Sequence, residues 1–320
     1  MTRVAAFDCG TNSLRLLIAD IQDGVVEDVV RETRIVRLGQ GVDATGEFAA
    51  EALDRTFAVC EEFAALTNEH QPEVTRFVAT SASRDVSNRD VFFDGVRSRL
   101  GVDAEVISGA EEAELSFLGA TAGVAGPETE SPYLVMDLGG GSTELVLGDT
   151  AVDQVVSMDI GSVRITERHL PSDPPSSAEA DAAIADIDSA FDSALQSVDV
   201  QRARTLVGVA GTITTISAAV LDLPAYQREA IHGAELQLDE LRQTSHRLLG
   251  MSRAERRELP YMHPGRADVI GAGGLIFSHI VERVDELVTQ DGGRLRIMTS
   301  ETDILDGIAL RLVAPQGGTV

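Results

Sequence analysis

"VMDLGGGSTELVL", Val135 to Leu147, is the stretch whose reading decides the fold. An apolar run enters Asp137, passes three glycines and a serine–threonine pair, and leaves through Glu144 into a second apolar run. Apolar runs on either side of a glycine turn predict a β-hairpin, with the glycines supplying positive φ at the turn. A two-residue turn needs only one or two such glycines, so the surplus predicts backbone N–H groups left bare for an anion. The N-terminal stretch "AAFDCGTNSLRLLIAD", Ala5 to Asp20, follows the same order of apolar run, Asp, Gly, polar turn, Ser and apolar run. Aligning Asp8 with Asp137 puts Gly10 on Gly139, Ser13 on Ser142 and Arg15 on Glu144. A repeat of this kind predicts two structurally similar halves facing each other, each with a loop at its inner edge.

Bulk properties narrow the class. A chain of 320 residues fits about two domains, and an apolar content of 43% supports globular folding. Cys9 and Cys60 are the only cysteines; they have no metal-ligand spacing and give no disulfide framework, which predicts a reducing, cytoplasmic interior. No charged-then-apolar signal segment opens the chain. Thr205 to Leu223 is the nearest approach to a membrane span, but its Thr and Gly content reads better as a buried strand and helix. Asp and Glu number 52 against 26 basic residues, a formal net charge of −26, and every basic residue is arginine. Such a field argues against non-specific nucleic-acid or membrane binding. Without lysine, a P-loop lysine and a Schiff base are excluded. An anionic substrate would then have to be met by Mg²⁺, bare amides and a few arginines.

Strand and helix patterns alternate along the chain. Strands are expected through Val4–Ala19 and Val25–Arg37, a helix over Ala49–Asn68, a strand running into a loop at "TRFVATSASRD", and a helix at "RDVFFDGVRSRLG" stopped by Gly101. A short strand "DAEVISG" precedes a helix that Glu111 and Glu112 open. The turn-rich "AGPETESP", Ala125 to Pro132, reads as a hinge, after which the pattern restarts. These boundaries place a first domain at 1–126 and a second at 127–302, with a last helix, about 303–320, packing back on the first. A second hinge is expected near Glu301–Asp306, so the two halves would close around a ligand.

Five segments in order, "FDCGTNSLRLL", "ATSASRD", "ISGAEEAELSFLG", "MDLGGGSTEL" and "SETDILDGIAL", resemble the exopolyphosphatase and guanosine-pentaphosphatase family from Val4 to Leu312. With "VGVAGTITT", the two Asp-containing loops also look like the phosphate-1, phosphate-2 and adenosine-type segments of the actin and sugar-kinase superfamily. The fold this implies is α/β: two actin-like (ribonuclease H-like) domains facing each other across a cleft. Family members commonly pair as homodimers, and the resemblance implies the same here.

Cleaving a phosphoanhydride needs a positioned water, neutralised phosphate oxygens and an exposed phosphorus. The amides around Thr11, Asn12 and Ser13, and those of Gly139, Gly140, Gly141 and Ser142, would cradle phosphate oxygens, with the Ser13 and Ser142 hydroxyls adding donors. Asp137 and Glu144, at the two mouths of one glycine turn, suit Mg²⁺ with several retained waters, Mn²⁺ being the alternative; Asp8 is the third candidate ligand. The resemblance makes Glu112 the general base that activates the attacking water, with a pKa raised by nearby anions, and leaves Glu111 as a helix-dipole residue. It makes Arg84 the residue that grips the phosphate being cleaved, against the bland alternative of a surface salt bridge to Asp85 or Asp90. Glu114 stands where the family often has arginine. Arg15 reads as packing between the halves, Arg89 as a contact for a longer chain, and His263 with Arg266 as a helix start.

The function this predicts is release of terminal orthophosphate from inorganic polyphosphate by a Glu-activated water with Mg²⁺. Guanosine pentaphosphate is the close alternative substrate. Longer relatives carry further helical domains, so a chain ending at Val320 without lysines predicts short polyphosphates. A small-molecule kinase on the same fold and a non-catalytic phosphate or alarmone sensor are the two other classes, and a pure binder has no need of the base.

Overall fold

The computed structural model describes residues 1–84, 86–126 and 129–313. In chain order the first elements are β1 (Thr2–Cys9), β2 (Ser13–Gln22), β3 (Val25–Ile35), α1 (Val42–Thr45), α2 (Ala50–His70), β4 (Val74–Ala79), α3 (Ser81–Arg84), α4 (Arg89–Leu100), β5 (Ala104–Val106) and α5 (Gly109–Val124). The repeat follows as β6 (Tyr133–Leu138), β7 (Thr143–Gly148), β8 (Val152–Met158), α6 (Ser162–His169), α7 (Ser177–Ala194), β9 (Thr205–Val209) and α8 (Ala210–Val220). The chain finishes with α9 (Arg228–Ile231), α10 (Leu238–Gly250), α11 (Arg253–Arg257), α12 (Ile270–Gln290), β10 (Arg296–Thr299) and α13 (Ile304–Val313). Two compact units result, one of Met1–Gly119 with the chain from Ile304, the other of Ala120–Asp303. The first change of unit falls within α5. Pro127 and Glu128, inside the hinge expected from sequence, lie outside the described residues, as does the chain beyond Val313.

Both units have one topology. Strand order is β3-β2-β1-β4-β5 in the first and β8-β7-β6-β9-β10 in the second. In each, the first three strands form an antiparallel meander and the last two add in parallel. This matches the two similar α/β halves expected from the repeat and the actin-like fold that the family resemblance implies.

The central strands are apolar throughout because both faces are covered. In β1, Ala5, Phe7 and Cys9 turn to a cluster with Leu14, Leu16, Phe63, Phe77 and Phe92. Val4 and Ala6 turn the other way, to Leu17, Leu115 and the α13 residues Ile304, Leu305 and Ile308. Alternation with period two puts Asp8 on this second face. Arg31 of β3 holds α13 in the first unit: it donates to both carboxylate oxygens of buried Asp306, one at 3.1 Å, and also pairs with Asp28. In the second unit Leu134, Met136 and Leu138 of β6 enter the main core with Leu145 and Leu147 of β7.

Three local expectations change. The segment after β4 is a helical turn, α3, rather than a loop, so Arg84 sits at its end. The helix expected from Ala49 begins at Ala50 and runs to His70. Among the described residues the positive-φ glycines are Gly24, Gly41, Gly46, Gly101, Gly233 and Gly292, none of them in the Gly139–Gly141 turn. Those three glycines therefore do not serve as left-handed turn residues. Gly101 does act as expected: it caps α4 at φ 69, its N–H donating to the Arg97 carbonyl. Among the described residues no helix is long and apolar enough to cross a membrane.

Candidate active site

In the first unit, the candidate residues follow the carboxyl ends of three strands that are neighbours in the sheet, β1, β4 and β5. Ligands in α/β sheets bind at that edge. Asp8, at the end of β1, lies opposite Arg15 of β2, whose guanidinium approaches its carboxylate at 3.4 Å. The loop between these strands closes with a hydrogen bond from Gly10 N–H to the Ser13 carbonyl, 2.9 Å. Thr11 is buried, and its hydroxyl lies 3.0 Å from that of Ser81 at the start of α3. The Gly10–Ser13 loop and the turn carrying Arg84 are thus joined side chain to side chain.

Arg84 donates through Nη1 to Glu112 Oε2 at 2.8 Å and to the Ile107 carbonyl at 3.2 Å. Glu112 is 8% exposed. Neighbouring positions on a helix point about 100° apart, which separates the two glutamates of α5: Glu111 pairs with Arg76 at 2.8 Å, while Glu112 meets Arg84. Glu114 pairs with Arg311 at 3.4 Å. Asp85 lies outside the described residues.

The second unit repeats the hairpin. Asp137 and Glu144 are register partners across β6 and β7, as Asp8 and Arg15 are across β1 and β2. Gly139 N–H donates to the Ser142 carbonyl at 3.0 Å, the counterpart of the Gly10–Ser13 bond. Asp137 and Glu144 are 6% and 1% exposed and, by alternation, face away from the Leu134–Met136–Leu138 core. Glu144 accepts from the Ser157 hydroxyl at 2.6 Å. Like charges placed directly opposite each other on a sheet are unfavourable, and a shared cation relieves this. Paired carboxylates suit a hard cation that retains part of its hydration. Among the described residues no group of three or more His, Cys, Asp or Glu side chains gathers as a metal nest.

Ser142 and Gly141 are buried, and Gly139 and Gly140 half-buried. The "VGVAGTITT" segment passes from β9 straight into α8, with Ala210 at φ 71. A non-glycine residue there is strained, a feature concentrated at functional sites. Arg266 packs on Gly211 and donates to the Thr215 hydroxyl at 3.2 Å; it lies in the turn that leads into α12. Burial and the Arg266 charge hold the His263 imidazole below its ordinary value. Arg89 is exposed on the first turn of α4.

Sequence reasoning missed two glycines, Gly39 and Gly161, which contact the two loops directly. The signal was available: each half places a glycine just past its third strand, in "IVRLG" and in "MDIG".

A profile described as the Ppx/GppA phosphatase family matches residues 17–295. Exopolyphosphatase 2 of Mycobacterium tuberculosis is 50% identical over 98% of this chain and 99% of its own. The crystal structure of an exopolyphosphatase-like protein superposes with a TM-score of 0.95 at 46% identity, covering 98% of this chain and 99% of that one. The structure of an exopolyphosphatase from Cytophaga hutchinsonii gives 0.84 at 28% identity, covering 97% of each chain.

Proposed function

We propose that this chain, a hydrolase that belongs to the Ppx/GppA phosphatase family, is an exopolyphosphatase that releases orthophosphate from the end of inorganic polyphosphate. The Arg84–Glu112 contact carries this reading. It holds a guanidinium suited to phosphate oxygens against a carboxylate suited to activating water, at the sheet edge that carries the Gly10–Ser13 loop. A phosphate sensor has no use for such a base.

Terminal phosphate oxygens are bound by amides of the Thr11–Ser13 and Gly139–Ser142 loops. Arg84 leaves Glu112 for the phosphate being cleaved and stabilises the charge that develops there. Glu112, released, takes the proton of the attacking water as that water's oxygen bonds to phosphorus and the bridging oxygen leaves with the shortened chain. Asp137 and Glu144 would hold Mg²⁺, or Mn²⁺, which would neutralise phosphate oxygens. The lysine-free, strongly acidic surface disfavours long polyanions, so short polyphosphates are the preferred substrates. Two buried free cysteines suit a reducing cytoplasm.

The test is orthophosphate release from tripolyphosphate, long-chain polyphosphate and guanosine pentaphosphate with Mg²⁺, for the native chain and for Glu112→Gln. Release from short polyphosphate that collapses in the variant is the expected result. Preference for the pentaphosphate would reassign the substrate, and full activity of Glu112→Gln would remove it as base. Phosphorylation of an added acceptor without free phosphate would make the protein a kinase.

A further inference from the structure

We propose that Gly39 and Gly161 are positioning residues for the two phosphate loops: each lets a segment beyond the third strand grip two successive loop carbonyls, which turns two successive amides toward the substrate. This rests on the reading above, in which the loops hold phosphate oxygens.

In a planar trans peptide, the carbonyl of one residue and the N–H of the next point in opposite directions. Fixing a carbonyl therefore aims the following amide. In the first loop, the Thr11 carbonyl accepts from Gly39 N–H at 2.8 Å, and the Asn12 carbonyl from Val36 and Arg37 N–H at 3.0 and 2.9 Å. The amides of Asn12 and Ser13 are thereby directed away from the Val36–Gly39 segment. In the second loop, the Gly139 carbonyl accepts from Ser162 N–H at 3.0 Å, and the Gly140 carbonyl from Val163 and Arg164 N–H at 2.9 and 3.1 Å. The amides of Gly140 and Gly141 are directed away from α6. Thr-Asn and Gly-Gly have little in common as side chains, yet both loops are held in this way.

The grip also serves α6. The first amides of a helix have no partner within it, and here three of them are spent on loop carbonyls. The start of α6 is thus a clamp for the loop and not itself the anion site.

Space, not dihedral freedom, demands the glycines. Gly161 has φ −150 and ψ 167, extended values open to any residue. A Cβ there would stand 2.4 Å from the Gly140 carbonyl oxygen and 2.6 Å from Gly141 N. Both contacts are backbone, so no side-chain rotation relieves them. A Cβ on Gly39 would stand 2.4 Å from Thr11 Cγ2 and 3.2 Å from the Ala82 Cβ. Since the Thr11 hydroxyl meets Ser81, Gly39 seats both the loop and the turn that carries Arg84. Its nearest contact is a side chain that gives partly, so its effect is the smaller.

Gly161→Ala, Gly39→Ala and the comparison variant Gly95→Ala test this. Gly95 lies on α4 against the Phe57 ring, where a Cβ would stand 2.1 Å from Cε1, so Gly95→Ala reports overpacking alone. Readouts are kcat and KM for tripolyphosphate, calorimetric binding of orthophosphate, and the urea midpoint. Gly161→Ala is expected to lose about 10²-fold in kcat/KM, the scale of a 1 Å misplacement, and to weaken orthophosphate binding in parallel. Gly39→Ala should lose about tenfold, an intermediate misplacement on the same scale. Gly95→Ala should lower the urea midpoint and keep its kcat/KM.

If Gly161→Ala does not fold, Ser162→Pro replaces it. Proline is accepted at a first helical position and deletes the donor to Gly139 without adding an atom at Gly161; the same two losses are expected. A folded Gly161→Ala or Ser162→Pro with native kcat/KM and native orthophosphate affinity overturns the proposal. So does a Gly95→Ala that loses as much activity. A native chain that neither cleaves polyphosphate nor binds orthophosphate removes the functional reading instead, and the positioning role with it.

Discussion

Glu112→Gln should stop turnover and at the same time tighten binding. Arg84 is held at 2.8 Å by Glu112, with side-chain exposures of 23% and 10%, so an incoming phosphate must displace the carboxylate before it gains the guanidinium. An ion pair at this degree of exposure is worth about 1 kcal/mol, the upper end for pairs in contact with water. Neutralising Glu112 returns that amount to the ligand, about a fivefold fall in Kd. Loss of repulsion between the carboxylate and the phosphate acts in the same direction. Removing a general base costs about 10²–10⁴-fold in rate. The assay is calorimetric titration with an imido-bridged triphosphate analogue that is not cleaved, beside steady-state phosphate release from tripolyphosphate. Arg84→Gln should lose both binding and turnover, and adding Glu112→Gln to it should no longer tighten binding. Weaker analogue binding by Glu112→Gln would refute the competition between carboxylate and phosphate for Arg84.

Arg31→Met removes the guanidinium from Asp306, a side chain only 3% exposed, and should cost about 3–5 kcal/mol in urea unfolding, whereas Asp28→Asn, at a partner 30% exposed, should cost below about 1 kcal/mol. Ser176→Ala breaks the reciprocal cap of α7, in which the Ser176 hydroxyl accepts from Glu179 N–H and the Glu179 carboxylate from Ser176 N–H; a loss of about 1 kcal/mol by the same method is expected. Burial, with Glu61 adding and Arg99 opposing, pushes the Cys60 thiol from 9.0 up to about 12. The folded state thus favours the protonated thiol, and the stability this gives is complete below pH 9 and is lost as pH rises toward 12. Cys60→Ala should flatten the alkaline decline of the urea midpoint, and iodoacetamide at pH 8 should label Cys9 and Cys60 only after unfolding.

Local grammar made the two hairpins legible. Apolar alternation around "FDCGTNS" and "DLGGGST" gave both turns and the equivalence of Asp8 with Asp137, because strand pairing across a short turn depends on residues a few positions apart. The face shared by Asp137 and Glu144 was legible for the same reason. The positive φ expected at Gly139–Gly141 was wrong, since a turn conformation depends on what presses against it as well as on its own residue types. What presses is Gly161, a residue that Gly139–Gly141 cannot announce.

By itself the sequence determined the repeated α/β architecture, the family, and the residue types available for chemistry: arginine without lysine, paired carboxylates and glycine loops. Tertiary structure decided which of them meet. Arg84 reaches Glu112 across 28 positions because β4 and β5 are parallel neighbours, and it reaches Glu112 rather than Glu111 because α5 turns the latter toward Arg76. Gly39 and Gly161 acquire their meaning only where separate segments pass within a methyl group of each other. Contacts of that kind are set by the order and packing of strands and helices, and residue type alone does not encode them.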